Sequence, residues 1–307
     1  MCLMKFSLFS DFHHYPGVFP NAEEKELNFI LDRAVKCNVD FIIQAGDICH
    51  GNYEYADFVK KYTDFSQIPT YSCLGNHDLD KRSLYDALKL FKMPSNYYYF
   101  DCKGYRIVVY DPNYCNVDGE YIHYDMGNHR KYRFERTWIN PEQIEWLRKT
   151  IDESPYPCIL IGHGSFIRND GIKNAEECLK VFREANKKRP HSVLMIINGH
   201  HHCNEIHFLD GICHFDINSS SFRWISKAHS MYPADLCEKI VCFKNTIAWD
   251  VPIHAIVTVE GTTITIEGMD GKYLFGVTPE MLGDDPAYVE DKKHTDSNVL
   301  SAKFTLL

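Results

Sequence analysis

Five short groups of aspartate, asparagine and histidine carry the residue types that hold divalent metal ions. In chain order they are Asp11-Phe12-His13, Gly46-Asp47, Gly75-Asn76-His77-Asp78, Gly162-His163 and Gly199-His200-His201-His202. Carboxylate, amide and imidazole ligands together suit Mn, Fe or Zn. Two such ions about 3.5–4 Å apart, bridged by a carboxylate, can hold a hydroxide that attacks phosphorus in line. These residue types therefore predict hydrolysis at a dinuclear metal site.

The order of the groups carries more weight than any single group. A DxH or a GD arises about once by chance in a chain of this composition, whereas GHxH and GNHD are expected well below once. Taken singly, Asp11 and Asp47 are as well explained as helix N-caps. The three consecutive histidines alone could be a surface triplet. All five groups in one chain favour the metal site.

Each group follows a predicted buried strand. Apolar runs at residues 3–10, 40–45, 69–74, 158–161 and 192–197 predict strands, and residues 22–37 and 53–65 predict intervening helices. This βαβα order predicts a partly parallel sheet. Ligands of open α/β sheets gather beyond the carboxyl ends of the strands, so we expect the five groups to converge.

The remaining pattern adds a hairpin, a helix and a C-terminal extension. Residues 97–101 and 105–110 predict a hairpin that turns at Lys103-Gly104, and a helix is expected from Asn140-Pro141 to about residue 152. Further strands are expected at 206–209, 212–216, 254–259 and 262–267, and the last thirty residues read as a loosely ordered acidic tail. We expect a main domain over residues 1–235. A β-hairpin extension with the acidic tail, residues 236–307, would pack on it.

The stretch from residue 111 to 139 is long for a connection and rich in tyrosine. Arg130, Lys131, Arg133 and Arg136 lie close together in it. Long irregular loops in compact domains are often functional lids, so this segment could be a cap that offers cations and rings to a phosphate-bearing ligand. A solvated basic loop explains the same residues. The sequence leaves both interpretations open.

The five groups in this order resemble the calcineurin-like metallophosphoesterases, whose pattern is DxH, GD, GNHD or GNHE, a lone His, and GHxH. The resemblance spans about residues 5–217. It implies a four-layer α/β/β/α sandwich of two mixed β-sheets flanked by helices, to which this chain adds a C-terminal β-rich extension. The chain departs from many members at Gly164-Ser165-Phe166, which affects expected substrate contacts rather than the metals.

The resemblance also implies residue roles. Asp11, His13 and His202 would hold one metal ion, Asn76, His163 and His200 the second, and Asp47 would bridge them. His77 would bind the phosphoryl oxygen and protonate the leaving group, and Asp78 would orient His77 and raise its pKa. Alternation along a strand end would separate His200 and His202 from His201. Whether His14 or His50 contacts metal or substrate stays open.

The expected activity is metal-dependent phosphoester hydrolysis, most of all of a small-molecule phosphodiester such as a cyclic nucleotide. A phosphomonoesterase, a nuclease and a non-catalytic metal-binding scaffold are the alternatives. With 33 basic and 42 acidic residues, the net charge of −9 argues against an extended nucleic-acid partner. No apolar run is long enough to span a bilayer, and the twelve cysteines are scattered singly, which predicts a cytoplasmic protein.

Overall fold

Two six-stranded β-sheets lie face to face at the centre of the protein. The computed structural model describes residues 3–14, 23–49, 55–225, 231–283 and 292–307. The strands are β1 (Leu3–Phe9), β2 (Phe41–Gln44), β3 (Thr70–Ser72), β4 (Tyr98–Cys102), β5 (Tyr105–Val109), β6 (Tyr114–Val117), β7 (Glu120–His123), β8 (Arg136–Trp138), β9 (Cys158–Gly162), β10 (Val193–Asn198), β11 (Glu205–Leu209), β12 (Ile212–Asp216), β13 (Phe222–Trp224), β14 (Thr246–Ala248), β15 (Ala255–Glu260), β16 (Thr263–Glu267) and β17 (Ala302–Thr305). The helices are α1 (Glu23–Lys36), α2 (Ala56–Thr63), α3 (Leu84–Leu90), α4 (Pro141–Asp152), α5 (Ala175–Lys188) and α6 (Ala234–Lys239). None of these helices has both the length and the apolar composition needed to cross a membrane.

The first sheet joins the two ends of the chain. Its strand order is β17-β16-β15-β1-β2-β3, with β1, β2 and β3 parallel and the three late strands antiparallel. Phe6 in β1 lies opposite Phe41 on one side and Val257 on the other. The late hairpin therefore completes the sheet that contains the first strand. A domain division near residue 235 stays a prediction.

The second sheet has the order β11-β12-β10-β9-β5-β4. Its four inner strands are parallel, and an antiparallel strand closes each edge. Because parallel strands share one direction, the carboxyl ends of β9 and β10 lie at one end of this sheet. That end carries the segments that contain His163, His200 and His202.

Side chains that alternate along β1 point into different hydrophobic cores, which separates the layers of the fold. Phe6 and Leu8 are fully buried in a core shared with Ile107 and Ile159 of the second sheet. Phe9 packs in a separate core with residues of α1 and α2, and a third core lies between the second sheet and helices α4 and α5. The predicted four-layer sandwich with two mixed sheets is confirmed.

Two predictions about irregular segments were wrong. Residues 111–139 contain a three-stranded sheet of order β7-β6-β8, and the expected loose tail contributes β17, whose Phe304 lies opposite Ile264. These four strands are only three or four residues long, and their exposed residues, Glu120, Lys303 and Thr305, are polar. β6 and β7 form a tight hairpin, whereas β8 and β17 are stabilised by pairing with residues more than twenty positions away rather than by local hydrophobic periodicity.

One buried carboxyl group belongs to the first turns of helix α1. Glu26 is 8% exposed, and its Oε2 atom makes no hydrogen bond among the described residues. Burial, with the charge of Asp250 adding to it, raises the pKa of Glu26 from 4.5 to about 9. The folded chain therefore binds a proton that the unfolded chain releases between these two values, so Glu26 makes stability fall as pH rises through this window.

We predict that Glu26→Gln raises the free energy of unfolding by about 1–3 kcal/mol at pH 8, because the amide is neutral at every pH. At pH 4.5 and below, where Glu26 is protonated in the folded chain, the gain should be much smaller. Urea unfolding at pH 4.5 and pH 8 measures the difference. The exposed Glu238→Gln on α6 is the matched control, and an equal gain at both pH values would contradict the prediction.

Candidate metal centre

The segments that follow five parallel strands meet at one end of the two sheets. Among the described residues, two groups of potential ligands form there, each with its ligand atoms within 4.8 Å of one another. The groups are Asp11, His13 and His202, and Asp47, His163 and His200. Asn76, the candidate ligand that belongs to neither group, lines the same cleft as His163 and His200.

The two carboxylates reach across both groups. Asp11 Oδ1 lies 3.2 Å from His202 Nε2 and 3.8 Å from His163 Nε2. Asp47 Oδ2 lies 3.0 Å from His163 Nε2 and 4.0 Å from His13 Nε2. A carboxylate in either position is therefore within reach of ligands from both groups.

Backbone carbonyls orient two of the histidines. His163 Nδ1 lies 2.9 Å from Ala45 O, and His202 Nδ1 lies 2.5 Å from Phe222 O. A carbonyl oxygen only accepts hydrogen bonds, so each Nδ1 carries the hydrogen and each Nε2 faces the site. This is the usual way in which metal-binding histidines are held.

Several buried polar atoms at the centre make no hydrogen bond of normal geometry. Within the described part of the chain, these atoms are Asp11 Oδ1, Asn76 Oδ1 and His163 Nε2, although Asp11 Oδ1 and His163 Nε2 each lie 3.0–3.2 Å from an atom of a neighbouring candidate ligand. Buried polar atoms are almost always paired, and leaving one unpaired costs about 1–3 kcal/mol. Two oxygens and an imidazole nitrogen that converge without aligned hydrogen-bond partners fit a divalent metal pair.

The electrostatics of the centre agree with this fit. Burial lowers the pKa of His13 to about 3 and that of His200 well below its usual value. Burial also lowers the pKa of His163, but the charges of Asp47 and Asp11 outweigh it and raise that pKa to about 10. The two carboxylates therefore concentrate positive charge between them, where a metal ion would supply it.

The structure places Asp80 rather than Asp78 against His77. His77 Nδ1 lies 2.7 Å from Asp80 Oδ2, three residues further along a short 3₁₀ helix, His77–Leu79. Burial lowers the pKa of His77, but the charge of Asp47 and the hydrogen bond to Asp80 raise it above its usual value. The expectation that Asp78 orients His77 was wrong.

Asp78 instead fixes the backbone of the centre. Its fully buried carboxyl group accepts hydrogen bonds from the backbone N–H groups of Asp47, Gly75 and Cys49. Burial and the neighbouring charge of Asp47 raise the pKa of Asp78 to about 7. In a 3₁₀ turn the side chains of residues i and i+3 lie on the same side, so Asp80 reaches the ring of His77. Asp78 follows His77 directly, points in another direction and contacts the backbone.

His14 and His201 belong to neither of the two ligand groups. His14 stacks on Phe58 with ring centroids 3.7 Å apart, in a buried position. His201 turns toward Asp170, with Nδ1 3.5 Å from Oδ1. His50 lies outside the described residues, so its role stays open.

The segment over residues 111–139 forms part of the wall of the cleft. A cavity of about 270 Å³ is lined by candidate ligands, by His77, by His129, Arg130 and Arg136 of this segment, and by Trp224. Tyr124 and Thr137 line the adjoining space beside Asn76 and His163. The sequence singled out the basic residues of this segment, whereas Thr137 carried no signal. For Asp80 the only signal in the sequence was its position three residues after His77.

Comparisons with known proteins agree with this fold and this centre. The family model for calcineurin-like phosphoesterases matches residues 4–204, more than half of the chain. A search of the curated protein sequences found no match.

The solved structures that resemble this chain include two with a TM-score above 0.5. One is a dimetal phosphatase from Danio rerio, with 14% identity and a TM-score of 0.59, covering 89% of this chain and 99% of that chain. The other is GAP50, the anchor in the inner membrane complex of Plasmodium, with 14% identity and a TM-score of 0.53, covering 90% of this chain and 88% of that chain. At this identity the likeness concerns the fold alone. On the strength of the family match, the chain belongs to the calcineurin-like phosphoesterase family.

Proposed function

We propose that this protein hydrolyses phosphoester bonds with two divalent metal ions. Asp11, His13 and His202 would hold one ion, and Asn76, His163 and His200 the other, with Asp47 bridging them. The observation that carries the proposal is the convergence of buried ligand atoms without aligned hydrogen bonds, Asp11 Oδ1, Asn76 Oδ1 and His163 Nε2, beside His77. When bound, the metal pair supplies Lewis acidity toward phosphoryl oxygens and activates water.

His77 is the proton donor to the leaving group in this proposal. It lines the cleft with His13 and Asp47, and its side chain is 26% exposed, so a substrate can reach it. Asp80 accepts from Nδ1 and stabilises the protonated ring, which leaves Nε2–H available to the leaving oxygen. Asp80 is a positioning residue here, because it acts through His77.

A small phosphodiester is the substrate class that we propose. The cavity of about 270 Å³ lies near the lower end of the usual range of small-molecule sites. The net charge of −9 argues against a long nucleic-acid track. The cysteines that the structure describes are free thiols, which supports a cytoplasmic location. The choice between Mn, Fe and Zn depends on metal availability as much as on these ligands.

We predict that protein stripped with a chelator and reloaded with Mn²⁺ cleaves bis-p-nitrophenyl phosphate faster than p-nitrophenyl phosphate. Release of p-nitrophenolate, followed by absorbance, gives kcat/KM for both esters. Asp47→Asn should abolish the activity, because a neutral amide is a poor bridge between two cations.

Each other outcome has a defined meaning for this proposal. A clear preference for the monoester would replace the diester assignment with a phosphomonoesterase. Cleavage of neither ester, with both metal ions bound by element analysis, would contradict catalysis and favour a metal-binding scaffold.

We predict that His77→Ala retains the metal ions but loses activity in proportion to the basicity of the leaving group. An alkyl ester of thymidine 5′-phosphate needs a proton donor and should slow by about 10²–10⁴-fold, whereas the p-nitrophenyl ester should slow far less. Asp80→Asn should show a smaller loss in the same direction, together with a shifted pH profile for the alkyl ester.

Asp57→Asn is the matched control, because this carboxylate is exposed and pairs with Lys60 on the surface. It should leave both rates unchanged. Equal losses on the alkyl and p-nitrophenyl esters in His77→Ala would remove the acid role. A normal pH profile in Asp80→Asn would remove the positioning role of Asp80.

A further inference from the structure

The four basic residues of segment 111–139 have different surroundings. Arg130 is committed, since its Nε and Nη2 atoms lie 3.2 and 2.9 Å from Asp80 Oδ1. Lys131 lies over the ring of Tyr132, 5.0 Å from its centroid, and Arg133 is exposed and does not line the cleft. Arg136 lines the cleft and, in the part of the chain that the structure describes, forms no ion pair with a carboxylate. None of the other three basic residues combines these two properties.

Arg136 is half-buried beside the candidate metal centre. It lines the cavity that contains His77 and Asp47, and also the adjoining space beside Asn76 and His163. A guanidinium that is partly removed from water loses hydration, and this loss is recovered when an anion pairs with it. Its planar fork matches phosphate or carboxylate oxygens in a bidentate arrangement.

The residue after Arg136 has a strained backbone conformation and forms a β-bulge beside the cleft. In the pairing of β6 with β8, Cys115 lies opposite Arg136 and Tyr114 opposite Trp138, so Thr137 has no partner and forms a bulge. Thr137 has φ of +72°, which is unfavourable for a β-branched residue. Bulges next to active sites often redirect a neighbouring side chain, and strain of this kind persists where the surroundings enforce it.

Two backbone hydrogen bonds enforce the bulge. Thr137 N donates to Tyr124 Oη at 2.9 Å, and Lys173 N donates to Thr137 O at 2.9 Å. The bulge is thus held by Tyr124, which follows β7, on one side and by the segment before α5 on the other. The position of Arg136 is therefore built into the fold rather than left to a mobile loop.

We propose that Arg136 is a specificity-determining residue that binds a second anionic group of the substrate, separate from the phosphoryl group that is cleaved. The preferred substrates are then small phosphodiesters that carry a further phosphate or carboxylate. This inference rests on the proposed phosphodiester hydrolysis, whose machinery comes from the strand ends and not from segment 111–139. Trp224 in the same cavity offers an aromatic surface, so nucleoside esters are suitable probes.

The test compares two esters that differ by one phosphate: thymidine 5′-(p-nitrophenyl phosphate) and its 3′-phosphorylated form. We expect the Mn²⁺-loaded wild-type protein to prefer the 3′-phosphorylated ester. In Arg136→Ala, KM for this ester should rise about tenfold to a hundredfold, the range of a lost charge-assisted hydrogen bond. The other ester should lose only a few-fold, so the ratio of the two kcat/KM values should collapse. Arg136→Lys should restore part of it.

Arg133→Ala is the matched control, because it removes an arginine of the same segment that does not line the cleft. It should leave both esters unaffected. No preference in the wild-type protein, or an equal loss on both esters in Arg136→Ala, would overturn the inference. The latter result would place the guanidinium on the phosphoryl group that reacts.

A binding measurement separates failure of this inference from failure of the proposed function. If the wild-type protein cleaves neither ester, the hydrolysis proposal is contradicted. Calorimetric titration with thymidine 3′,5′-bisphosphate and thymidine 5′-monophosphate then tests Arg136 without catalysis. Tighter binding of the bisphosphate that is lost in Arg136→Ala supports the second anion site, and equal binding of the two nucleotides contradicts it.

Discussion

The candidate metal centre depends on left-handed backbone conformations at the ends of the strands. Five of its seven candidate ligands have positive φ, between +46° and +72°: Asp11, His13, Asp47, His200 and His202. Each such residue costs about 1–2 kcal/mol relative to a right-handed conformation, although Asp and His tolerate it better than most. The sharp turns bring side chains from separate strands to within contact distance, and a Cβ at Gly75 or Gly199 would overlap the Asp47 carboxylate or the Ser10 hydroxyl. The surrounding structure must therefore hold a backbone that would otherwise relax.

Hydrogen bonds from outside the five groups hold this backbone. The side chains of Ser219 and Ser221 donate to Asp11 O, and the buried Trp249 donates from Nε1 to Ser219 O. Residues beyond the family match at 4–204 therefore support the first candidate ligand. The same region supplies β15, which pairs with β1 along six residues. The C-terminal segment is accordingly part of what keeps the centre in place, and not only an addition to the sheet.

The features of the fold and the site that depend on local sequence patterns could be predicted from the sequence. Buried strands and the groups that follow them are visible in hydrophobic runs and rare motifs, so the four-layer fold and the convergence of the groups could be predicted. The contact of Asp80 with His77 could not, because it depends on a 3₁₀ turn that brings residues i and i+3 together while the adjacent Asp78 turns to the backbone. The explanation for His200 and His202 also failed. They lie after β10 at positive φ, and not in an extended strand end.

Segment 111–139 is joined to the turn that contains His77 as well as to the cleft. Gly127 N donates to Leu79 O at 2.9 Å, and Met126 N donates to Arg82 O at 3.1 Å, so the segment is anchored on both sides of Asp80. Arg130 from the same segment pairs with the oxygen of Asp80 that does not contact His77. The carboxylate that contacts His77 is thus itself held by the segment that lines the cleft. Because one anchored segment does both, its position couples the shape of the cleft to the alignment of His77.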